Sequence, residues 1–370
     1  MKRIITFFLI AIMLCILPAC GKGNEEKNET SSSNKFNTKV ALTVAENYLN
    51  LLAKEDYENA SKLYSKSLKD KNQDFRPGDL RIVGFNQDTL NEVGESILVR
   101  YRVTRVVKGE ARSDLDNCSI KIIKEGTDYK ISEVKSENEK EAYVEGKSLR
   151  QRRKDDVKSS PIIRLHRLPR EMYPKSNKAN FNKVPIPNKE FTAVNFSYSG
   201  EKIAISTFNE DSFIGIVGID DSLQTAAGAQ GGGAGGQQGG QQGGPQDVGG
   251  QQGEDISMEK PIGQKILSLD ILKNAKVDYM VFSRDEKVIM VEFTEKDKGS
   301  SLNLYETDNG NLVELDIDKK YPSDKYDVVF VSFDKNVMTF EVKAKKGQDL
   351  QDPAVGKYQV DLEKFKVKKL

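Results

Sequence analysis

Residues 4–16 form an apolar run, interrupted by Thr6 alone, behind Lys2 and Arg3, and the run closes on Leu17-Pro18-Ala19-Cys20. The spacing of apolar positions then changes. From Thr38 they fall at Val40, Ala41, Val44, Ala45, Tyr48, Leu51 and Leu52, the i, i+3, i+4 pattern of a helix with one buried face, capped by Thr38. Asp56 is placed to cap a second helix that turns Ala60, Leu63, Tyr64 and Leu68 inward. Pro77-Gly78 ends the helical region, and the period drops to two. Ile97, Val99, Tyr101 and Val103 alternate with Leu98, Arg100, Arg102 and Thr104, as in a strand with one wet face. Residues 119–124 and 129–134 predict a hairpin about Glu125-Gly126-Thr127-Asp128.

Beyond residue 190 an internal repeat governs the pattern. FTAVNFSYSGEKIAIST begins at Phe191, VDYMVFSRDEKVIMVEF at Val277 and YDVVFVSFDKNVMTFEV at Tyr326. Each is an apolar strand ending in Phe-Ser or Val-Ser, a polar turn with Gly or Asp, then a second apolar strand. A further strand pair follows the second unit (SLNLYETDNGNLVELDI, turning at Asp308-Asn309-Gly310) and the third (GKYQVDLEKFKVKKL). In the first unit the corresponding pair is FIGIVGIDD and QKILSLDIL, separated by residues 225–253, which are rich in Gly and Gln. Such a tract cannot bury surface and reads as a disordered insert within the unit. A phosphate-binding loop would need Gly-x-x-x-x-Gly-Lys-Ser/Thr between a strand and a helix, and the tract has none.

Three resemblances follow from these residues. The basic start, the apolar run and the small residue before Cys20 resemble the signal and lipobox of bacterial lipoproteins of Gram-positive type. The run is too short to span a bilayer comfortably, which takes ~20 residues. Pro18 departs from the usual lipobox. The resemblance implies a signal peptide at residues 1–19 and lipid on Cys20, with residues 20–37 as a disordered tether. It also implies a lipid-anchored place on the extracytoplasmic face of the cell membrane. AENYLNLLAKEDYENASKLYS with IKIIKEGTDYKISEV resembles NTF2-like domains, implying an α+β N-terminal domain over residues 38–137 with a curved antiparallel sheet wrapped on helices around a cone-shaped pocket. The units after residue 190 resemble the blades of TolB-like and WD40-type β-propellers, implying an all-β domain over residues 191–370. Three units are fewer than the ~4 blades that close a propeller. Residues around SSPIIRLHRL are a candidate for a degenerate fourth, and otherwise the propeller is incomplete.

Composition narrows the chemistry. Lys and Arg number 57 against 56 Asp and Glu, so a general nucleic-acid binder is not expected. Trp is absent and His166 is the sole histidine, which makes a histidine-built metal site or a Ser-His-Asp triad hard to assemble. With Cys15 in the signal and Cys20 lipidated, Cys118 has no disulfide partner, and it reads as a small buried hydrophobe. Tyr101, alternating with apolar neighbours, reads as a core residue. No cofactor, metal or catalytic residue is expected. Residues 138–190 form a basic connector, with fourteen Lys and Arg against seven Asp and Glu, densest at Lys147, Arg150, Arg152, Arg153 and Lys154. These five are candidates for contact with an anionic surface. Residues 191–370 hold 21 basic against 29 acidic residues, so the connector could instead dock on its own chain. His166 reads as structural or exposed. The whole points to a non-enzymatic binding or scaffold protein of the cell envelope, accessory to a signalling or assembly complex, with a protein or cell-wall partner. An enzyme using an acid and a tyrosine in the cone, or a solute- or polysaccharide-binding lipoprotein, are the alternatives.

Overall fold

The computed structural model describes residues 36–71, 78–176, 182–223, 259–345 and 351–370. Cys20, the signal, most of the tether and the Gly/Gln-rich insert lie outside the described residues.

Helix α1 (Thr38–Ala53) buries Ala41, Ala45, Tyr48 and Leu49; of the predicted face Val44, Leu51 and Leu52 are half-buried and Val40 is exposed. Thr38 lies inside it and donates its hydroxyl to Glu92 across 2.7 Å. Asp56 caps α2 (Tyr57–Lys62), accepting the Asn59 amide at 3.2 Å. Ser65 caps the single turn α3 (Lys66–Lys69).

Six strands follow as one antiparallel meander: β1 (Arg81–Val93), β2 (Ser96–Val106), β3 (Ser113–Glu125), β4 (Asp128–Glu145), β5 (Ser148–Arg153) and β6 (Ser160–Arg164). On β2, Ile97, Val99, Tyr101 and Val103 are buried as their alternation predicts. The hairpin turns at Gly126, whose φ of +67° is the left-handed conformation that favours glycine.

The expected α+β N-terminal domain of NTF2-like type does not stand apart, and this part of the fold reading is corrected. Strand β4 runs on through position 137 for 18 residues, β5 and β6 extend the sheet, and Thr38–Leu370 form one compact unit, mostly strands. The cause is a shared core. Leu115, Ala142, Leu149 and Ile162 of the sheet pack in one cluster with Phe196, Ile203 and Phe213. Polar ties add to it. Buried Lys140 donates to Gly200 O at 2.8 Å and meets Asp221 at 2.6 Å, and Gln151 donates to the same carboxylate.

After a small pair, β7 (Glu171–Met172) and β8 (Val184–Pro185), come three four-stranded antiparallel sheets. Blade 1 is β9 (Glu190–Phe196), β10 (Lys202–Asn209), β11 (Asp211–Ile219) and β12 (Gly263–Leu272). Blade 2 is β13 (Ala275–Phe282), β14 (Val288–Glu295), β15 (Ser300–Glu306) and β16 (Leu312–Val313). Blade 3 is β17 (Tyr326–Phe333), β18 (Val337–Ala344), β19 (Gly356–Asp361) and β20 (Lys366–Lys369). Strands β11 and β12 pair across the insert. Contacts pass from β2 and β3 to β9, from β9 to β13, from β15 to β17, and from β13 and β17 back to β1. The long sheet thus packs against the first strand of each of the three blades. Residues 160–164, the candidate for a fourth blade, are its edge strand β6, beside β12.

Candidate functional site

The Phe-Ser motif of the repeat builds a turn. In blade 1 the Lys202 amide donates to Ser197 Oγ, and in blade 2 the Val288 amide donates to Ser283 Oγ. Three residues after each serine the backbone is left-handed, at Gly200 (φ +72°) and Glu286 (φ +57°). The residue after the serine faces the long sheet. Tyr198 in blade 1 packs on Gly84 and donates to Phe282 O at 3.2 Å. In blade 2 the equivalent position is Arg284, and there a cation enters a place the repeat otherwise fills with an aromatic.

Arg284 gathers four elements. Its guanidinium donates to Glu46 of α1 at 3.0 Å, to Asp334 of the β17–β18 turn at 3.4 Å and to Phe333 O at 3.2 Å. It lies 5.0 Å over the Phe85 ring of β1, and its own carbonyl accepts from Asn86 at 3.0 Å. The side chain is only 13% exposed, so these bonds form in a region of reduced solvent screening.

Around this hub opens a cleft of about 720 Å³ with Glu46, Gln87, Asp285, Lys335 and Asn336 on its walls. A second cleft of about 470 Å³ shares Asp285, Lys335 and Asn336 and runs on between the turns of blades 2 and 3 past Leu362 and Phe365. The two make one open groove with carboxylates, ammonium groups, side-chain amides and a small apolar shelf. Burial works against the Asp285 charge, but hydrogen bonds from Ser283 and the Lys287 amide outweigh it and hold the pKa below its ordinary value. Near the groove, the Tyr101 hydroxyl is fully buried with no hydrogen-bond partner. Burial first, then the Glu46 carboxylate, raises its pKa. Such a lining suits reversible hydrogen bonding and ion pairing. Among the described residues no group of three or more His, Cys, Asp or Glu is placed to hold a metal ion.

The residues singled out in the sequence lie elsewhere. Lys147 is exposed in the β4–β5 turn, and Arg150, Arg152, Arg153 and Lys154 lie on β5 or at its end. Arg150 pairs with Glu145 and Glu259, Arg152 with Glu141, and Lys154 with Glu137. Cys118 is buried in the sheet, where desolvation pushes its thiol up to about 12. His166 is exposed. Sequence reasoning missed Glu46 and Arg284. The available signal was the alignment of the repeat itself, which sets Arg284 against Tyr198.

No protein family and no curated protein matches the chain. Among solved structures, TolB from Acinetobacter baumannii is 10% identical at a TM-score of 0.31, over 77% of this chain and 57% of that one. The tricorn protease is 10% identical at 0.31, over 76% of this chain and 25% of that one. The Cps50 (Swd1) β-propeller domain of Myceliophteria thermophila is 8% identical at 0.24, over 73% and 91%. The chain therefore spans little more than half the length of the first and a quarter of the second. Its own three sheets of one strand order make residues 190–370 a propeller-type repeat domain.

Proposed function

We propose that this chain is a lipid-anchored lipoprotein on the extracytoplasmic face of the cell membrane, acting there as a non-enzymatic binding or scaffold protein. The observation that carries the binding role is the continuous groove at the turns of blades 2 and 3. Its polar, mixed-charge lining and open form suit a polypeptide or wall-polymer segment laid across it, fixed by hydrogen bonds at its rim. The lipobox-like ending at Cys20 supports the anchor, and two or three acyl chains hold firmly at ~0.8 kcal/mol per buried methylene. Accessory service to a signalling or assembly complex is the role such an anchored groove serves best.

Two measurements test the parts separately. Labelling of cells with an alkyne fatty acid is expected to mark the protein and to lose it on Cys20→Ala, which should also release the chain from the membrane fraction. A photo-crosslinking side chain at Asn336, in the groove, is expected to trap a partner in intact cells. The same probe at Val157, which is 97% exposed and lines neither cleft, should not. Identical adduct patterns from both positions would remove the groove from the proposal.

A further inference from the structure

Blades 2 and 3 wall the second cleft, and a buried acid joins them. Glu292 stands in the middle of β14, paired with Tyr279 of β13, and is 4% exposed. Its Oε2 accepts the amide of Phe330 at 2.8 Å. Phe330 belongs to blade 3, at the point where the β17–β18 register shifts between Phe330 and Ser332. As the edge strand of its sheet, β17 leaves alternate amides outside the ladder, and the irregularity lies beside the one that meets Glu292. One hydrogen bond therefore spans the two sheets from a carboxyl that water scarcely reaches.

The charges about Glu292 come from each element packed on it. The Phe330 amide itself, Lys108 in the turn between β2 and β3, and Lys343 on β18 favour its ionised form; Asp278 on β13 opposes it, and burial opposes it most. Lys108 is shared, lying 3.7 Å from Asp278 and 5.5 Å from the centre of the Tyr279 ring. Asp278 is also satisfied by the Thr294 hydroxyl at 2.6 Å. Tyr279 faces Arg81 of β1 as well. No cation lies within ion-pairing distance of Glu292 among the described residues, and burial outweighs the rest, raising its pKa to about 7. At its far end the same seam carries two more bonds, Ser300 N to the Asp327 carboxylate at 3.0 Å and Gly299 N to Ser323 O at 2.7 Å.

We propose that Glu292 is a proton-linked latch between blades 2 and 3, closed when its carboxyl is protonated and loosened when it ionises. The neutral acid keeps a carbonyl oxygen to accept the Phe330 amide and tolerates a dry seam. The carboxylate demands solvation that the closed seam does not supply, so water enters between the blades. The sign follows from linkage. A carboxyl whose folded pKa lies above its ordinary value adds stability at low pH and loses it as pH rises toward about 7. A bearing on the groove rests on the function proposed above. The latch itself is tested without any partner.

In the full-length protein carrying 15N-phenylalanine, the Phe330 amide resonance, assigned with Phe330→Leu, is expected to titrate with a midpoint near 7. The folding equilibrium of the wild type should fall by at least about tenfold between pH 5 and 8. Glu292→Gln, which keeps the acceptor and removes the proton, should fall clearly less than the wild type over that range, keeping only the part that Asp114 on β3 contributes. A Phe330 resonance that stays flat across this range overturns the latch, as does a Glu292→Gln variant that loses stability in parallel with the wild type. Should the variant fail to fold, the wild-type titration decides alone.

Discussion

The long sheet and the three blades are both antiparallel meanders, yet their strands are protected in different ways. In blade 2, Val288, Ile289, Met290, Val291, Glu292 and Phe293 of β14 are all buried, and β10 of blade 1 is buried over five consecutive residues. A strand covered on both faces loses its alternation and reads as a continuous apolar run. In β5 the alternation persists, with Leu149 and Gln151 buried while Arg150 and Arg152 reach outward. There the neighbouring strand supplies charge: Glu141, Glu145 and Glu137 on β4 meet Arg152, Arg150 and Lys154. One architecture is covered by packing on both faces, and the other, toward its edge, keeps a wet face lined with opposite charges. The same difference explains why a charge-rich stretch is easily mistaken for a connector.

The comparison breaks most severely where packing alone holds a strand. Phe340 on β18 is fully buried and stacked on Tyr358 at 5.3 Å with 12° between the rings. Phe340→Ala is expected to cost about 3–5 kcal/mol in urea unfolding, because the cavity cannot refill from a close-packed seam. Val144→Ala, on the 38% exposed side of β4, should stay within about 0.5 kcal/mol. Equal losses at the two sites would mean that the sheets are held alike.

A smaller loss is expected at the joint between the two regions. Lys140 is buried and its ammonium is shared by Gly200 O and Asp221. Removing one partner of a buried pair strands the other, which costs about 3–5 kcal/mol when both are fully enclosed. The Asp221 side chain is 31% exposed, so Lys140→Ala should fall nearer about 2–3 kcal/mol. A double-mutant cycle with Asp221→Ala checks it. The double variant should lose clearly less than the two single losses added together, and strict additivity would show that the contact does not couple sheet to blade.

Much of this fold was readable where local chemistry and tertiary position agree. The i, i+4 spacing from Ala41 to Tyr48, the cap at Asp56, the alternation from Ile97 to Val103 and the turn at Gly126 each have a local cause, and each appears in place. The repeat was readable because its serine turns recur. What misled was the boundary. Helices α1 and α2 with a hairpin suggested a self-contained α+β unit, but nothing local in β4 shows that Lys140 and Ala142 face another sheet. The groove was less readable still. Glu46 and Arg284 are 238 positions apart, and only the fold brings them within 3.0 Å.

Acid titration offers a subtler comparison. Asp114 on β3 pairs with Arg105 at 3.3 Å, yet its second oxygen is buried without a partner. Burial raises its pKa to about 6, against the opposing pull of Arg105. Since the folded value lies above the ordinary one, its contribution favours the fold at low pH and is lost as pH climbs from about 4 to 6. The difference in unfolding free energy between wild type and Asp114→Asn should therefore shift by up to about 2 kcal/mol over that window. A constant difference would mean that water satisfies the second oxygen.

The smallest effect belongs to the charge ladder itself. Arg152 and Lys154 are each 51% exposed, and their partners Glu141 and Glu137 are 25% and 62% exposed. Exposed pairs gain little, because solvent screens the attraction and two long side chains lose freedom in making it. Arg152→Ala and Lys154→Ala should each cost no more than about 0.5 kcal/mol, and about 1 M salt should erase even that. Arg150 is the sensitive rung. Its guanidinium, 13% exposed, meets Glu145 and Glu259 and donates to Ser159 O at 2.7 Å, so it ties β5 to the segment entering blade 1's last strand. Arg150→Ala should exceed either neighbour and resist salt, since a largely buried fork with several acceptors is screened less than an exposed pair. If all three variants responded equally to salt, the ladder would be a surface ornament throughout, and the edge of the long sheet would have to be held by its apolar side alone.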